Sequence, residues 1–206
     1  MNKLVIAFFA LASMAVSAYS QATNQQPTQP KCNLTEANSP NIHGIRLGMS
    51  TQQVLALFPG SAEKKEIKQA LENAKAPASH ETAYLSFEPA TYPSRDRFAR
   101  VDSISVIAYK GRVVDFTFIY LGATWRNIDE WVAKLSEAFG LPSAPDWAVG
   151  PNETPNKILK CNGLEIEAAI GGGSGSIRIR NPGYLKEVEE RMNAEEEKRR
   201  REFKPR

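Results

Sequence analysis

The feature that most constrains the fold is a change of period that happens twice. Apolar residues recur every three to four positions, then every second position, and each alternating stretch is split by a turn signal, Lys110-Gly111 or Asn162-Gly163. Glycine accepts the positive φ that tight hairpin turns demand, and alternation sorts side chains onto the two faces of a pleated ribbon. Such a chain has to close antiparallel hairpins against helices. Strands are expected at Val101–Tyr109 and Arg112–Leu121, near Ala83–Phe87, at 157–161 and 164–170, and at Ser176–Arg180 beyond the run Gly171-Gly172-Gly173-Ser174-Gly175. In the strand after Lys110-Gly111, Val114, Phe116, Phe118 and Tyr120 share one side, and Val113, Asp115, Thr117 and Ile119 the other. The first set is the expected core face.

A capped helix precedes each hairpin. Ser50 with Gln53 three residues later has the form of a capping box, Val54, Leu57 and Phe58 follow at helical spacing, and Pro59-Gly60 stops the run. A second helix is expected over 62–75, with Ile67, Ala70, Leu71 and Ala74 as its stripe. The same logic returns with Asn127 as cap, Glu130 at the third position, and Trp131, Leu135, Ala138 and Phe139 before Gly140. These elements define an α+β class: two degenerate helix-plus-antiparallel-meander units, about 42–121 and 127–181, that share one sheet with the helices on one face. The folded domain spans 32–182. From 183 to 206 the chain changes character, with 15 of 24 residues charged, and reads as a long charged C-terminal helix whose first turns dock through Leu185, Val188 and Met192.

The first 20 residues hold 15 apolar positions behind Lys3 and end in the small residues of Ala18-Tyr19-Ser20. They read as a secretory signal peptide, interrupted by Ser13 and Ser17 too early for a membrane span. Residues 21–31 read as a flexible polar leader. Two cysteines, Cys32 and Cys161, then face an oxidising compartment, where a pair most simply forms one disulfide; a redox-active thiol would want a CxxC pair or a charged neighbourhood. With 26 Lys+Arg against 23 Asp+Glu and an apolar fraction of 42%, the chain is neither disordered nor a polytopic membrane protein. No transmembrane helix is expected once the signal is removed.

Catalytic patterns are scarce. His43 and His80 stand 37 positions apart without HExxH or CxxC company, and each reads as a surface or capping histidine; no metal or other cofactor is expected. The glycines in AIGGGSGSIRI could wrap a phosphate, but strands on both sides favour a mobile hairpin over a Walker or dinucleotide loop. Glu165 and Glu167 superficially form a carboxylate pair, yet they occupy one side of a strand, where such pairs are usually solvated. Lys198-Arg199-Arg200-Arg201 is balanced by acidic residues in the same tail, so nucleic acid is not an expected partner. The sequons Asn33-Leu34-Thr35 and Asn152-Glu153-Thr154 matter only in a eukaryotic secretory pathway, and the signal peptide has a bacterial look.

The stretch Gly44-Ile45-Arg46-Leu47-Gly48-Met49-Ser50, with Val54 and Pro59-Gly60, resembles the opening motif of small bacterial envelope proteins. These are the SmpA/OmlA-type outer-membrane assembly lipoproteins and the tandem modules of the β-lactamase-inhibitor-protein-like superfamily. The resemblance implies one or two short helices before an antiparallel sheet, and binding of other proteins through the sheet and its loops. The lipid-attachment cysteine and any match to an inhibitory loop are missing, so tethering and enzyme inhibition are not carried over. The leading expectation is therefore a secreted or periplasmic non-enzymatic protein that binds an envelope or extracellular protein. Its surface would be an open sheet face carrying Ser105, Ile107, Tyr109, Asp115, Thr117, Glu165, Glu167, Arg178 and Arg180. Three rivals stand beside it. One is small-molecule binding or hydrolysis in a cleft near Trp125, Trp147 and the Arg95–Arg100 loop. Another is attachment to anionic envelope material through the basic terminus, and the last is a structural module with no stable partner.

Overall fold

The structure is a computed structural model describing residues 32–76, 81–122, 125–151 and 153–203. The expected signal peptide and leader, His80 and Asn152 lie outside the described residues. Helix α1 (Thr51–Ala56) begins with the expected capping box: Gln53 N–H donates to the Ser50 hydroxyl, and Ser50 N–H donates to the Gln53 side chain at 2.9 Å. A 3-10 turn at Ser61–Glu63 interrupts the helix expected over 62–75, so α2 is the shorter Lys65–Asn73. Helix α3 (Ile128–Phe139) is capped by the Asn127 side chain, which accepts from Glu130 N–H at 2.9 Å.

Seven strands form one antiparallel sheet. They are β1 (Thr82–Phe87), β2 (Val101–Tyr109), β3 (Arg112–Leu121), β4 (Ala148–Val149), β5 (Asn156–Lys160), β6 (Glu165–Gly171) and β7 (Ser174–Arg180). Their order is β1-β2-β3-β7-β6-β5-β4, so each unit contributes a meander and the last strands of the two meanders pair in the middle. Lys110 and Gly111, at φ 49° and 73°, make the β2–β3 turn, and Gly172-Gly173 makes an equally short turn between β6 and β7. Helices α1, α2 and α3 cover one face. Beneath them Ile104, Val106, Phe116, Phe118, Leu164, Ile166 and Ile177 join Val54, Phe58, Ile67, Trp131 and Leu135 in one continuous core. The Cys32–Cys161 disulfide ties the beginning of the folded region to the end of β5.

Val114 departs from the expected core face, and its neighbour Val113 takes the place. Gly48 N–H donates to Val113 O, and Val113 N–H donates to Met49 O, each at 2.8 Å. The chain leading into α1 thus takes over the Val113 backbone. The β2–β3 register skips a residue there, Ile107 facing Asp115 and Ala108 facing Val113. Such a bulge shifts the alternation by one position. Val113 is buried in the main core, while Val114 joins Tyr109 and Tyr184 in a small cluster on the opposite side of the sheet.

That cluster anchors helix α4 (Pro182–Glu202), which lies on the face the other helices leave free. Of the expected set Val188 makes the contact, joined by Tyr184, whereas Leu185 and Met192 stay exposed. Polar contacts extend it. Glu187 accepts from the Tyr109 hydroxyl and from Lys110 Nζ, both at 2.7 Å, and Arg191 reaches Glu81 at 2.9 Å. Farther along, Glu196–Arg200, Glu197–Arg201 and Lys198–Glu202 pair along the helix itself, whose charged end is exposed. Among the described residues, no helix is long and apolar enough to cross a membrane.

Candidate functional site

Two surfaces stand out: the outward sheet face and a cleft at the end of β3. Cross-strand register builds the first. Ile107, Asp115, Arg180 and Glu165 form one row across β2, β3, β7 and β6, and Ser105, Thr117, Arg178 and Glu167 form the next. The two rows are stitched together diagonally. Arg178 Nε donates to both oxygens of Asp115 at 3.0 Å, and these bonds hold the guanidinium above its ordinary pKa. Arg180 Nε donates to Glu165 at 2.8 Å, Lys160 lies 3.9 Å from the same carboxylate, and Asn156 Nδ2 donates to Glu167 at 2.8 Å.

The expected open face is therefore closed in part. Tyr109, Asp115 and Glu165 are buried: α4 covers the tyrosine, and the cross-strand arginines sequester the carboxylates. Ile107, Thr117, Glu167, Arg178 and Arg180 remain half-buried, and Ser105 is exposed. Glu165 and Glu167 do not act as a free carboxylate pair, because each has its own cross-strand partner. Tyr84 was not anticipated from the sequence. It is 66% exposed, and the neighbouring Tyr184 phenol is pushed up to about 12, chiefly by burial. Tyr84, Ser86, Ser103, Ser105, Thr117 and Ile119 make an uncharged strip beside the ladder of ion pairs.

The second surface is a cleft of about 430 Å³ between the 42–45 turn, the end of β3 and α3. His43 and Gly44 form a two-residue turn closed by reciprocal Ile42–Ile45 hydrogen bonds of 2.9 Å, with His43 at φ 50°. This turn aims the imidazole inward rather than at solvent, which corrects the surface-histidine expectation. Its Nε2 lies 3.1 Å from the Tyr120 hydroxyl, and the ring packs near Phe98, Phe118 and Phe139. Burial lowers the His43 pKa and raises that of Tyr120, so both are neutral at pH 7. Trp125 and Trp131 stack obliquely, 4.7 Å between ring centres, and Arg100, Lys134 and Glu137 stand at the rim. Of the residues expected around a cleft, Trp125 and Arg100 line it. Trp147 is instead a buried core residue that donates to Pro142 O at 3.0 Å, and Arg97 is spent on His43 O.

Among the described residues, no group of three or more His, Cys, Asp or Glu side chains could hold a metal ion. The fold and its surfaces define the class: a disulfide-linked α+β protein built on a single antiparallel sheet, with a disulfide suited to an oxidising compartment. No family model matches the chain, and neither a curated protein nor a solved structure matches it.

Proposed function

We propose that this is a secreted or periplasmic, non-catalytic protein that binds a protein of the envelope or extracellular space through the uncharged strip of its outward sheet face. One observation carries the reading. The charges of that face are already ion-paired or hydrogen-bonded within it, so a docking partner would strand none of them, and burying an unpaired charge is the main penalty an interface has to avoid. Interface centres are poor in charge and rich in tyrosine. Tyr84 supplies the exposed ring, and Ser86, Ser105, Thr117 and Ile119 supply a low surface around it. The signal-like N-terminus, the disulfide and the resemblance of the 44–60 segment to envelope modules support the compartment and the kind of partner.

Arg178 and Arg180 are poor probes of this surface, since reversing them breaks the fold's own ion pairs. Ser105 and Thr117 are better. A bait carrying both Ser105→Arg and Thr117→Arg should lose a species that the wild-type bait retains from the envelope fraction of the native host. Equal retention by the two baits, or no species retained by the wild type, defeats the proposal.

A further inference from the structure

We propose that the aromatic cleft is a binding site for a small molecule made of a flat apolar ring system bearing one anionic group, a role separate from protein binding at the sheet face. The space, about 430 Å³, falls within the usual range for ligand pockets and suits two joined rings. Its walls are π surfaces: His43, Tyr120, Trp125, Trp131 and Phe139 surround it, with Leu135 as aliphatic floor. Aromatic rings favour offset or edge contacts with one another, and a flat guest can adopt both here.

The cleft is constructed rather than left over. His43 occupies a left-handed backbone region that is uncommon outside glycine, and that costs on the order of 1 kcal/mol unless the surroundings hold it. They do: Arg97 Nε donates to His43 O at 3.0 Å, and its guanidinium fills the place where a Cβ on Gly44 would sit. Trp131 is fixed through its indole N–H to Ser176 O at 2.8 Å. Gly175 makes room for both indoles, because a Cβ there would lie 2.9 Å from the Trp131 ring and 3.0 Å from Trp125 Nε1.

Charge selects the class of guest. Inside, the neutral His43–Tyr120 pair can donate or accept a hydrogen bond without demanding a charge. At the rim Lys134 is offset by Glu137 at 3.0 Å, whereas Arg100 has no carboxylate within ion-pairing distance among the described residues. The mouth therefore carries one uncompensated positive charge. An anionic substituent meets it, and a cationic guest would be repelled.

The probe is 8-anilinonaphthalene-1-sulfonate, with neutral N-phenyl-1-naphthylamine as its uncharged counterpart, titrated into the intact oxidised chain. The sulfonate is expected to bind at one saturable site and to quench tryptophan emission. Arg100→Gln should weaken it about tenfold, the scale of one charge-assisted hydrogen bond, while leaving the neutral probe within about twofold. Ala138→Trp fills the mouth from an exposed position and should abolish binding of both probes. Neither substitution touches the core, so a failure to fold cannot masquerade as the expected result. Absence of saturable binding, or binding untouched by Ala138→Trp, overturns the site. Equal weakening of both probes by Arg100→Gln overturns the anionic class. Ser105→Arg with Thr117→Arg should change neither titration, which keeps this test independent of the sheet face.

Discussion

Arg178→Met keeps much of the side-chain length and deletes the guanidinium that holds Asp115. That carboxylate is 2% exposed and accepts from Arg178 Nε at 3.0 Å on each oxygen. Removing one member of a buried pair costs about 3–5 kcal/mol, because the other charge is left without compensation. Protonation sets a ceiling on that penalty. Neutralising a carboxyl of ordinary acidity at pH 7 costs about 4 kcal/mol, and at pH 5 about 1.5 kcal/mol. The variant should therefore lose about 3–4 kcal/mol at pH 7, and its deficit should shrink by half or more at pH 5. Asp115→Asn is the milder change, about 1–2 kcal/mol, since the Arg178 side chain is 36% exposed and keeps water as a partner. Urea denaturation followed by tryptophan fluorescence at the two pH values reads both numbers. If Arg178→Met stays within about 1 kcal/mol of the wild type at pH 7, or its deficit does not fall with pH, the ladder is not the sequestered ion-pair network described.

Loss of the disulfide in the double variant Cys32→Ser, Cys161→Ser releases a loop set by a sequence separation of 129, and chain entropy puts the destabilisation at about 5 kcal/mol. A denaturant midpoint that barely moves would contradict this. Burial lowers the His43 pKa, so the unfolded chain takes up the proton first. Stability from this group is fully present above the unfolded value of about 6.5 and declines as pH falls from there through the lower native value. His43→Asn, which tolerates the same left-handed turn, should remove that part of the slope; an unchanged pH profile would count against the buried imidazole. Tyr184→Ala strips the anchor of α4 and should cost about 2 kcal/mol. It should also speed amide exchange along α4 and at Tyr109, and a protected helix in that variant would show that other contacts hold it.

The elements legible in the sequence were those with local causes. Lys110-Gly111, the Ser50–Gln53 box and the Asn127 cap each act within a few residues, and the structure places turns and helix starts there. The identity of the core face was legible for Phe116 and Phe118 but not for Val113 and Val114, because the bulge comes from backbone hydrogen bonds to Gly48 and Met49, some 65 positions earlier. Docking of α4 through Val188 was legible, but its anchor Tyr184 and the site that receives it were not, for a related reason. Tyr184 and Val188 find their site in Tyr109 and Val114, and Val114 faces that way because of the same bulge. The cleft draws on His43, Tyr120, Trp125, Trp131 and Gly175, which share no motif, so His43 looked like an isolated histidine and Gly175 like one more member of a glycine run. One signal was available: a glycine outside the two-residue turn, in strand phase, marks a close approach by something large.

Photo-crosslinking in the native compartment tests the claim of a sheet-face partner most directly. A benzophenone side chain at Thr117 on the outward strip is expected to yield a discrete adduct with one protein, and the same group at Glu72, exposed on α2, is expected to yield none. No adduct from Thr117, or the same adduct from both positions, would contradict the account.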